Sequence, residues 1–143
     1  MTTTYNSIKK SEGPWKVLLV EDDEATRESA TLKLKKEAFE VVTAGDGDAA
    51  LMCLENDPTF DAVLLDLQMP RKNGFEFLAK KNEKAEIKDI PVIVFSNLNQ
   101  HEHVDQALQL GVKGYLVKAH HSIQQVVDEL KECLKTGSCR IDN

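Results

Sequence analysis

Short aliphatic runs of strand length alternate along the chain with segments whose apolar residues recur at helical spacing. The runs fall at residues 15–20, 40–44, 61–66, 90–96 and 114–118. Their dense aliphatic content is typical of parallel strands that are covered on both faces. This pattern predicts five buried parallel strands.

The segments between the runs predict helices. The clearest is the last, where Ser122 and Gln125 resemble a capping box ahead of an apolar stripe. That stripe consists of Ile123, Val126, Val127, Leu130, Cys133 and Leu134. Three others are marked by Ala50, Cys53 and Leu54, by Phe75, Leu78 and Ala79, and by Val104, Ala107 and Leu108 with a stop at Gly111. Residues 24–37 are predicted to be helical mainly from length and charge, with a thin stripe of Ala25, Ser29 and Leu32.

This strict alternation of strands and helices predicts an α/β fold with right-handed crossovers and helices on both faces of the sheet. We expect a flexible leader at residues 1–14, one domain at residues 15–136 and a short tail at residues 137–143. The output of such a chain would have to pass through the surface of one domain.

Three carboxylates end two of the predicted strands. Glu21 and Asp22 follow the first run, and Asp66 closes the third. Because ligands bind at the carboxyl ends of parallel strands, these groups should converge and would repel one another without a cation. Hard oxygen ligands of this kind suit Mg²⁺. The alternative is that they are solvated loop residues.

Two further strand ends carry residues that suit phosphoryl transfer. Asp66 could act as a nucleophile toward phosphorus, while the Ser96 hydroxyl and the Lys118 ammonium could bind phosphoryl oxygens. Taken singly, Ser96 is a common strand-end residue and Lys118 a common surface one. Their joint placement favours a phosphoryl site.

Composition limits the possible partners and the compartment. The 24 acidic and 18 basic residues give a formal charge of −6 without a basic run, which argues against direct binding to DNA or an anionic membrane. The odd number of cysteines, three, and the lack of an apolar segment of ~18 residues predict a reduced, cytoplasmic protein. The four histidines, His101, His103, His120 and His121, are expected on the surface or in loops, without a metal.

Several motifs together resemble response-regulator receiver domains over residues 15 to about 135. They are Val-Leu-Leu-Val-Glu-Asp-Asp-Glu at 17–24, Asp-Leu-Gln-Met-Pro at 66–70 followed by Asn73-Gly74, Ser96, and Gly-Tyr-Leu-Val-Lys at 114–118. The resemblance implies a flavodoxin-like (βα)5 sheet of order 2-1-3-4-5.

The resemblance also implies a two-component phosphorelay protein of the stand-alone type. Asp66 would accept a phosphoryl group from a phosphohistidine on a sensor histidine kinase or a histidine phosphotransfer protein. Mg²⁺, or Mn²⁺, would be bound by Asp22 directly, by Glu21 through water, by Asp66 and by the Gln68 backbone carbonyl. The domain would catalyse only its own phosphorylation and dephosphorylation, with Ser96 and Lys118 assisting.

In this family the signal would leave through a conformational switch. Ser96 would move toward the phosphoryl group and Tyr115 would turn inward, which changes the surface formed by the fourth helix, fifth strand and fifth helix. The downstream protein is unknown, and a phosphorylation-dependent dimer is left open.

Two positions depart from the family pattern. Ala119 stands where proline usually follows the lysine, so Lys118–Ala119 is either a cis bond at a cost of ~2.5 to 4 kcal/mol or a trans bond. Asn97 is bulkier than the usual residue after the serine and is expected to alter dephosphorylation.

Other functions fit the residues less well. A haloacid-dehalogenase-type phosphatase needs an aspartate where this chain has Gln68. A flavodoxin has backbone donors and hydroxyls after the first strand, whereas Glu21, Asp22 and Asp23 stand there in this chain and would repel a phosphate without metal. The alternative that stays open is a receiver-like scaffold that binds a protein without phosphorylation.

Overall fold

Five parallel strands form one sheet in the computed structural model, which describes residues 13–69 and 73–142. They are β1 (Lys16–Val20), β2 (Glu40–Ala44), β3 (Ala62–Leu65), β4 (Val92–Ser96) and β5 (Gly114–Val117). Their order is β2-β1-β3-β4-β5 and every pairing is parallel. The predicted fold class, a doubly wound α/β sheet of order 2-1-3-4-5, is confirmed.

Helices connect the strands. They are α1 (Glu24–Lys36), α2 (Gly47–Asn56), α3 (Gly74–Asn82), α4 (His101–Gln109) and α5 (Ile123–Thr136), with a 3-10 turn at Lys118–His120. The predicted capping box of α5 is present, because Ser122 Oγ accepts from the Gln125 N–H at 3.1 Å and Gln125 Oε1 accepts from the Ser122 N–H at 2.8 Å.

Both faces of the sheet are buried. Along β3, Val63 and Leu65 contribute to one hydrophobic cluster, whereas Ala62 and Leu64 contribute to the cluster on the opposite face. All four are at most 1% exposed. Asp66, the residue that follows β3, therefore lies at the carboxyl end of a fully buried strand and is itself 5% exposed.

The predicted apolar stripe of α1 is wrong, although the helix itself is present. Ala30 and Leu34, four residues apart, face the core, and Leu32 is 63% exposed. Ala25 and Ser29 are exposed as well. The sparse apolar residues of this helix fit two phases, and packing against the sheet decides between them.

The expectation that the cysteines are reduced is also wrong, because Cys133 and Cys139 form a disulfide and Cys53 is free. Gly137, with a φ of +78°, ends α5 and turns the chain back along the helix. Cys139 thereby comes to a Cα–Cα distance of 4.4 Å from Cys133. Sequence spacing alone does not reveal this reversal.

The remaining expectations concern the chain ends and membranes. Residues 1–12 of the predicted leader lie outside the described residues, so the leader stays a prediction. Within the described residues, no helix is both long and apolar enough to cross a bilayer.

Candidate functional site

Three carboxylates lie together at the carboxyl end of the sheet. Glu21 and Asp22 follow β1 and Asp66 follows β3, and these strands are direct neighbours, with Val20 paired to Leu65. One carboxylate oxygen from each of the three acids lies within 4.8 Å of the others. Glu21 is 1% exposed and Asp66 5% exposed, whereas Asp22 faces solvent. The cluster therefore has a buried inner part and an open outer one.

Lys118 joins this cluster from the end of β5. Its Nζ lies 2.8 Å from Glu21 Oε1 and 3.0 Å from Asp66 Oδ2, and it also sits 5.6 Å from the centre of the Phe95 ring. The lysine side chain is only 18% exposed. One ammonium thus bridges two buried carboxylates that come from different strands.

Burial and charge shift the pKa values of this cluster. Burial raises the pKa of Glu21; the hydrogen bond from Lys118 offsets part of that rise, and the Asp66 charge adds to it. Burial alone would lower the pKa of Lys118, but its bonds to Glu21 and Asp66 raise it above the ordinary value. One lysine therefore does not fully neutralise the acids, and the donor set fits an additional divalent cation.

The loop after β3 holds the second oxygen of Asp66. The Gln68 N–H donates to Asp66 Oδ1 at 3.0 Å. The start of α3 packs tightly on this loop, because a Cβ at Gly74 would lie 2.6 Å from Leu67 Cα and 3.0 Å from the Asp66 carbonyl oxygen. Residues 70–72, which include the proline of the loop motif, lie outside the described residues. The Gln68 carbonyl stays a predicted metal ligand.

Ser96 and Tyr115 contact the same residue, Leu98. Ser96 ends β4 fully buried, and its Oγ accepts from the Leu98 N–H at 3.3 Å. Tyr115 is fully buried on β5, so it already occupies the inward position that the predicted switch would move it to, and its hydroxyl donates to the Leu98 carbonyl oxygen. Burial and the Asp66 charge raise the pKa of Tyr115 to about 12. The loop that follows β4 is thus held by both side chains.

Lys118–Ala119 is a trans bond, since Gly13–Pro14 is the cis bond among the described residues. The Ala119 N–H, which a proline would lack, donates to Asn97 Oδ1 at 3.1 Å. The two departures from the family pattern therefore contact each other. This bond fixes the start of the turn that carries Lys118 without the strain of a cis peptide.

Three polar residues next to the site were missed by sequence reasoning. Asp142 Oδ2 accepts from the Val117 N–H and lies 2.8 Å from His121 Nε2, while Arg140 Nε donates to Asp142 Oδ1 at 2.7 Å. Burial raises the pKa of Asp142, but the bonds from Arg140, Val117 and His121 outweigh it and keep the pKa below its ordinary value. His121 lies in a loop as expected, yet its side chain is 7% exposed. No pattern in a short polar tail signals such contacts.

Solved structures similar to this chain share its fold. Chemotaxis protein CheY4 of Vibrio cholerae is 28% identical with a TM-score of 0.76, over 82% of this chain and 97% of that one. The phosphorylated cyanobacterial phytochrome response regulator RcpA is 30% identical with a TM-score of 0.76, over 87% and 96%.

Curated relatives carry the names of two-component response regulators or of response regulator-like proteins. Two-component response regulator ORR5 of Oryza sativa subsp. japonica is 30% identical over 102 residues, covering 71% of this chain and 76% of that protein. Two-component response regulator-like APRR9 of Arabidopsis thaliana is 36% identical over 129 residues, covering 82% and 28%. The chain spans only 14% of the rice relative PRR73 and 49% of ORR7.

The family model described as the response regulator receiver domain matches residues 17–131, from β1 into α5. That span contains the acidic cluster, Ser96, Tyr115 and Lys118. The chain therefore belongs to the response regulator receiver domain family.

Proposed function

We propose that this receiver accepts a phosphoryl group on Asp66 from a phosphohistidine of a sensor histidine kinase or a phosphotransfer protein, and signals through the surface of α4, β5 and α5. The observation that carries the proposal is the position of Asp66, a buried carboxylate between two further acids and an ammonium. Such a group can attack phosphorus only where cations neutralise the charge that accumulates.

In the transfer step an Asp66 carboxylate oxygen forms a bond to phosphorus while the phosphorus–nitrogen bond of the phosphohistidine breaks. The imidazole leaves with the electron pair of that bond and is protonated. Gln68 holds Oδ1 through its N–H, which fixes the orientation of the carboxylate. Hydrolysis of the resulting acyl phosphate returns Asp66 to its free form.

Lys118 stabilises the charge that this step creates. Its ammonium already contacts Asp66 Oδ2, so only a short displacement is needed for it to pair with an oxygen of a phosphoryl group on the same side chain. Glu21 and the Phe95 ring restrain the ammonium from two other sides. The lysine is thereby positioned before the phosphoryl group arrives.

The side chains of Glu21, Asp22 and Asp66, with the Gln68 carbonyl, would hold Mg²⁺ or Mn²⁺. The bound cation would supply positive charge to the phosphoryl oxygens and offset the repulsion among the acids. The close oxygens of the cluster and the raised pKa of Glu21 support this assignment.

The shared contact with Leu98 offers a physical basis for the switch. If the Ser96 hydroxyl turns toward a phosphoryl oxygen, the Leu98 N–H loses its partner while Tyr115 keeps hold of the Leu98 carbonyl. The loop that leads into α4 then has to rearrange, and α4 is part of the proposed output surface.

Beryllofluoride, which mimics an acyl phosphate, tests the site and the switch together. We expect Mg²⁺-dependent shifts in the amide resonances of Ser96, Leu98 and Tyr115, because these residues share one hydrogen-bonded loop. Asp66→Asn should abolish the shifts, whereas Asp105→Asn, at an exposed aspartate on α4, should preserve them. A wild-type spectrum that does not respond would favour the phosphorylation-independent scaffold.

A further inference from the structure

The free edge of β5 is covered by the chain's own C-terminal segment, residues 138–142, here called the strap. The Tyr115 N–H donates to the Arg140 carbonyl at 2.9 Å and the Asp142 N–H donates to the Tyr115 carbonyl at 2.8 Å, which forms a parallel bridge between Tyr115 and Ile141. An edge strand offers unpaired backbone groups, and the strap satisfies those of β5.

The side chain of Asp142 connects the strap to the residues that precede and follow the Lys118 turn. Asp142, 6% exposed, binds the N–H of Val117 before the turn and the side chain of His121 after it. On the strand side, Gly114 leaves room for the strap, because a Cβ there would lie 3.1 Å from Cys139 Cβ and 3.2 Å from the Arg140 carbonyl oxygen.

The disulfide between Cys133 and Cys139 ties the beginning of the strap to the last turn of α5. It closes a small ring whose ends are six positions apart, so it holds the strap against β5 without crosslinking distant parts of the domain. A domain with two apolar clusters on one sheet does not need this bond for a core. The bond joins only the strap and the last turn of α5.

Solvent can reach the disulfide. A surface cavity of about 680 Å³ is lined by both cysteines together with Trp15, Phe60 and Leu134. Cys133 is 7% exposed and Cys139 is half-buried, so a small thiol approaching through the cavity meets Cys139 more readily.

We propose that Cys133 and Cys139 form a thiol–disulfide switch that controls the docking of the strap on β5, with a dithiol as its reductant. A thiolate of the reductant attacks Cys139 Sγ, the disulfide breaks, and Cys133 leaves as a thiolate that takes up a proton. The second thiol of the reductant then displaces Cys139, which is also protonated. Two electrons pass to the protein, and the reductant leaves as its own disulfide.

Release of the strap exposes the backbone edge of β5 and frees Val117 and His121, the residues that flank the Lys118 turn. Loop-closure entropy for so small a ring corresponds to roughly 50-fold in the equilibrium between docked and released strap. The hydrogen bonds of the strap remain after reduction, so docking is weakened and not abolished.

Amide hydrogen exchange on the 143-residue chain tests this switch, in a Cys53→Ser background that removes the free thiol. On addition of dithiothreitol, exchange at Tyr115 and Val117 should accelerate between about tenfold and about 50-fold. Exchange at Glu40, whose N–H pairs with the Trp15 carbonyl at the far edge of the sheet, should not change. Oxidised glutathione should reverse the effect.

Two variants distinguish the effect of losing the disulfide from the effect of displacing the strap. Cys139→Ser should show the fast exchange at Tyr115 with or without reductant. Gly114→Ala should accelerate the same amide in the oxidised protein, because its methyl group displaces the strap from the strand side. Three free thiols in the air-oxidised wild-type protein, or equal exchange at Tyr115 before and after reduction, would overturn the proposal. Neither readout depends on phosphorylation of Asp66.

Discussion

Replacing Lys118 by methionine isolates the electrostatic balance of the site, because methionine keeps much of the side-chain length and deletes the ammonium. The variant leaves Glu21 and Asp66, whose side chains are 2% and 6% exposed, without the cation that bridges them. Both carboxylates would then face each other at low solvent exposure.

The size of the effect follows from these contacts. Removing one partner of a buried ion pair typically costs about 3–5 kcal/mol of the free energy of unfolding. Glu21 already has a raised pKa, so proton uptake by this carboxyl offsets part of the cost. We expect a loss of about 3 kcal/mol at pH 7 without divalent cations. Mg²⁺ at ~100 times its dissociation constant for the variant should stabilise the variant by about 2.7 kcal/mol. Because it should bind the wild type more weakly and stabilise it less, the difference between the two proteins should shrink.

Urea unfolding followed by the fluorescence of Trp15, which is buried beside Phe39, measures these differences. Lys131→Met is the matched control, because Lys131 pairs with Glu37 at a half-exposed position and its loss should cost less than about 1 kcal/mol. Equal losses in the two variants, or a Lys118→Met protein whose deficit Mg²⁺ does not reduce, would mean that the Lys118 ammonium does not balance the charge of the two acids.

Three further predictions address the acids, the loop and a buried lysine. Glu21→Gln should raise the unfolding free energy at pH 7 without metal, because it removes a carboxylate that burial disfavours, and should weaken Mg²⁺ binding by calorimetry. Gly74→Ala should destabilise by about 1–3 kcal/mol in urea, since its Cβ meets the Leu67 backbone, while Gly45→Ala, with 4.0 Å to its nearest neighbour, should be close to neutral. Burial lowers the pKa of Lys81 to about 8 from 10.5, so the cost of burying its charge is fully present below pH 8. Between pH 8 and pH 10.5 the buried lysine loses its proton while the unfolded chain keeps it, so the unfolding free energy of the wild type should rise by roughly 3 kcal/mol relative to that of Lys81→Met. Urea unfolding at each pH measures this rise.

The sheet could be predicted from the sequence because its buried strands are continuous aliphatic runs, and α5 because its apolar stripe and capping box agree. The inward face of α1 could not be predicted, because two buried residues, Ala30 and Leu34, are too few to show which side of the helix packs against the sheet. For the same reason Leu32, a candidate core residue in the sequence, is exposed.

The convergence of Glu21, Asp22, Asp66 and Lys118 could be expected because parallel strands end at one edge of the sheet. The contacts that surround these four residues could not be predicted from the sequence. The bond before Ala119 is trans, the default for a non-proline residue, but the hydrogen bond that its N–H donates to Asn97 joins residues from two different strand ends and has no sequence pattern. The strap of residues 138–142 is held by two backbone hydrogen bonds, by the Asp142 side chain and by a disulfide, and none of these contacts follows a periodic pattern in the sequence.

The most direct test of the central claim is whether Asp66 takes up a phosphoryl group in a reaction that requires a divalent cation. The protein would be incubated with acetyl phosphate and Mg²⁺ and then treated with borohydride, which releases the phosphate and converts a phosphorylated aspartate into homoserine. Mass spectrometry of peptides then locates the homoserine and so labels the site of phosphorylation. We predict one phosphoryl group at Asp66, absent when EDTA replaces Mg²⁺ and absent in Asp66→Asn. Equal labelling of Asp66→Asn, or labelling of the wild type that persists in EDTA, would contradict the account.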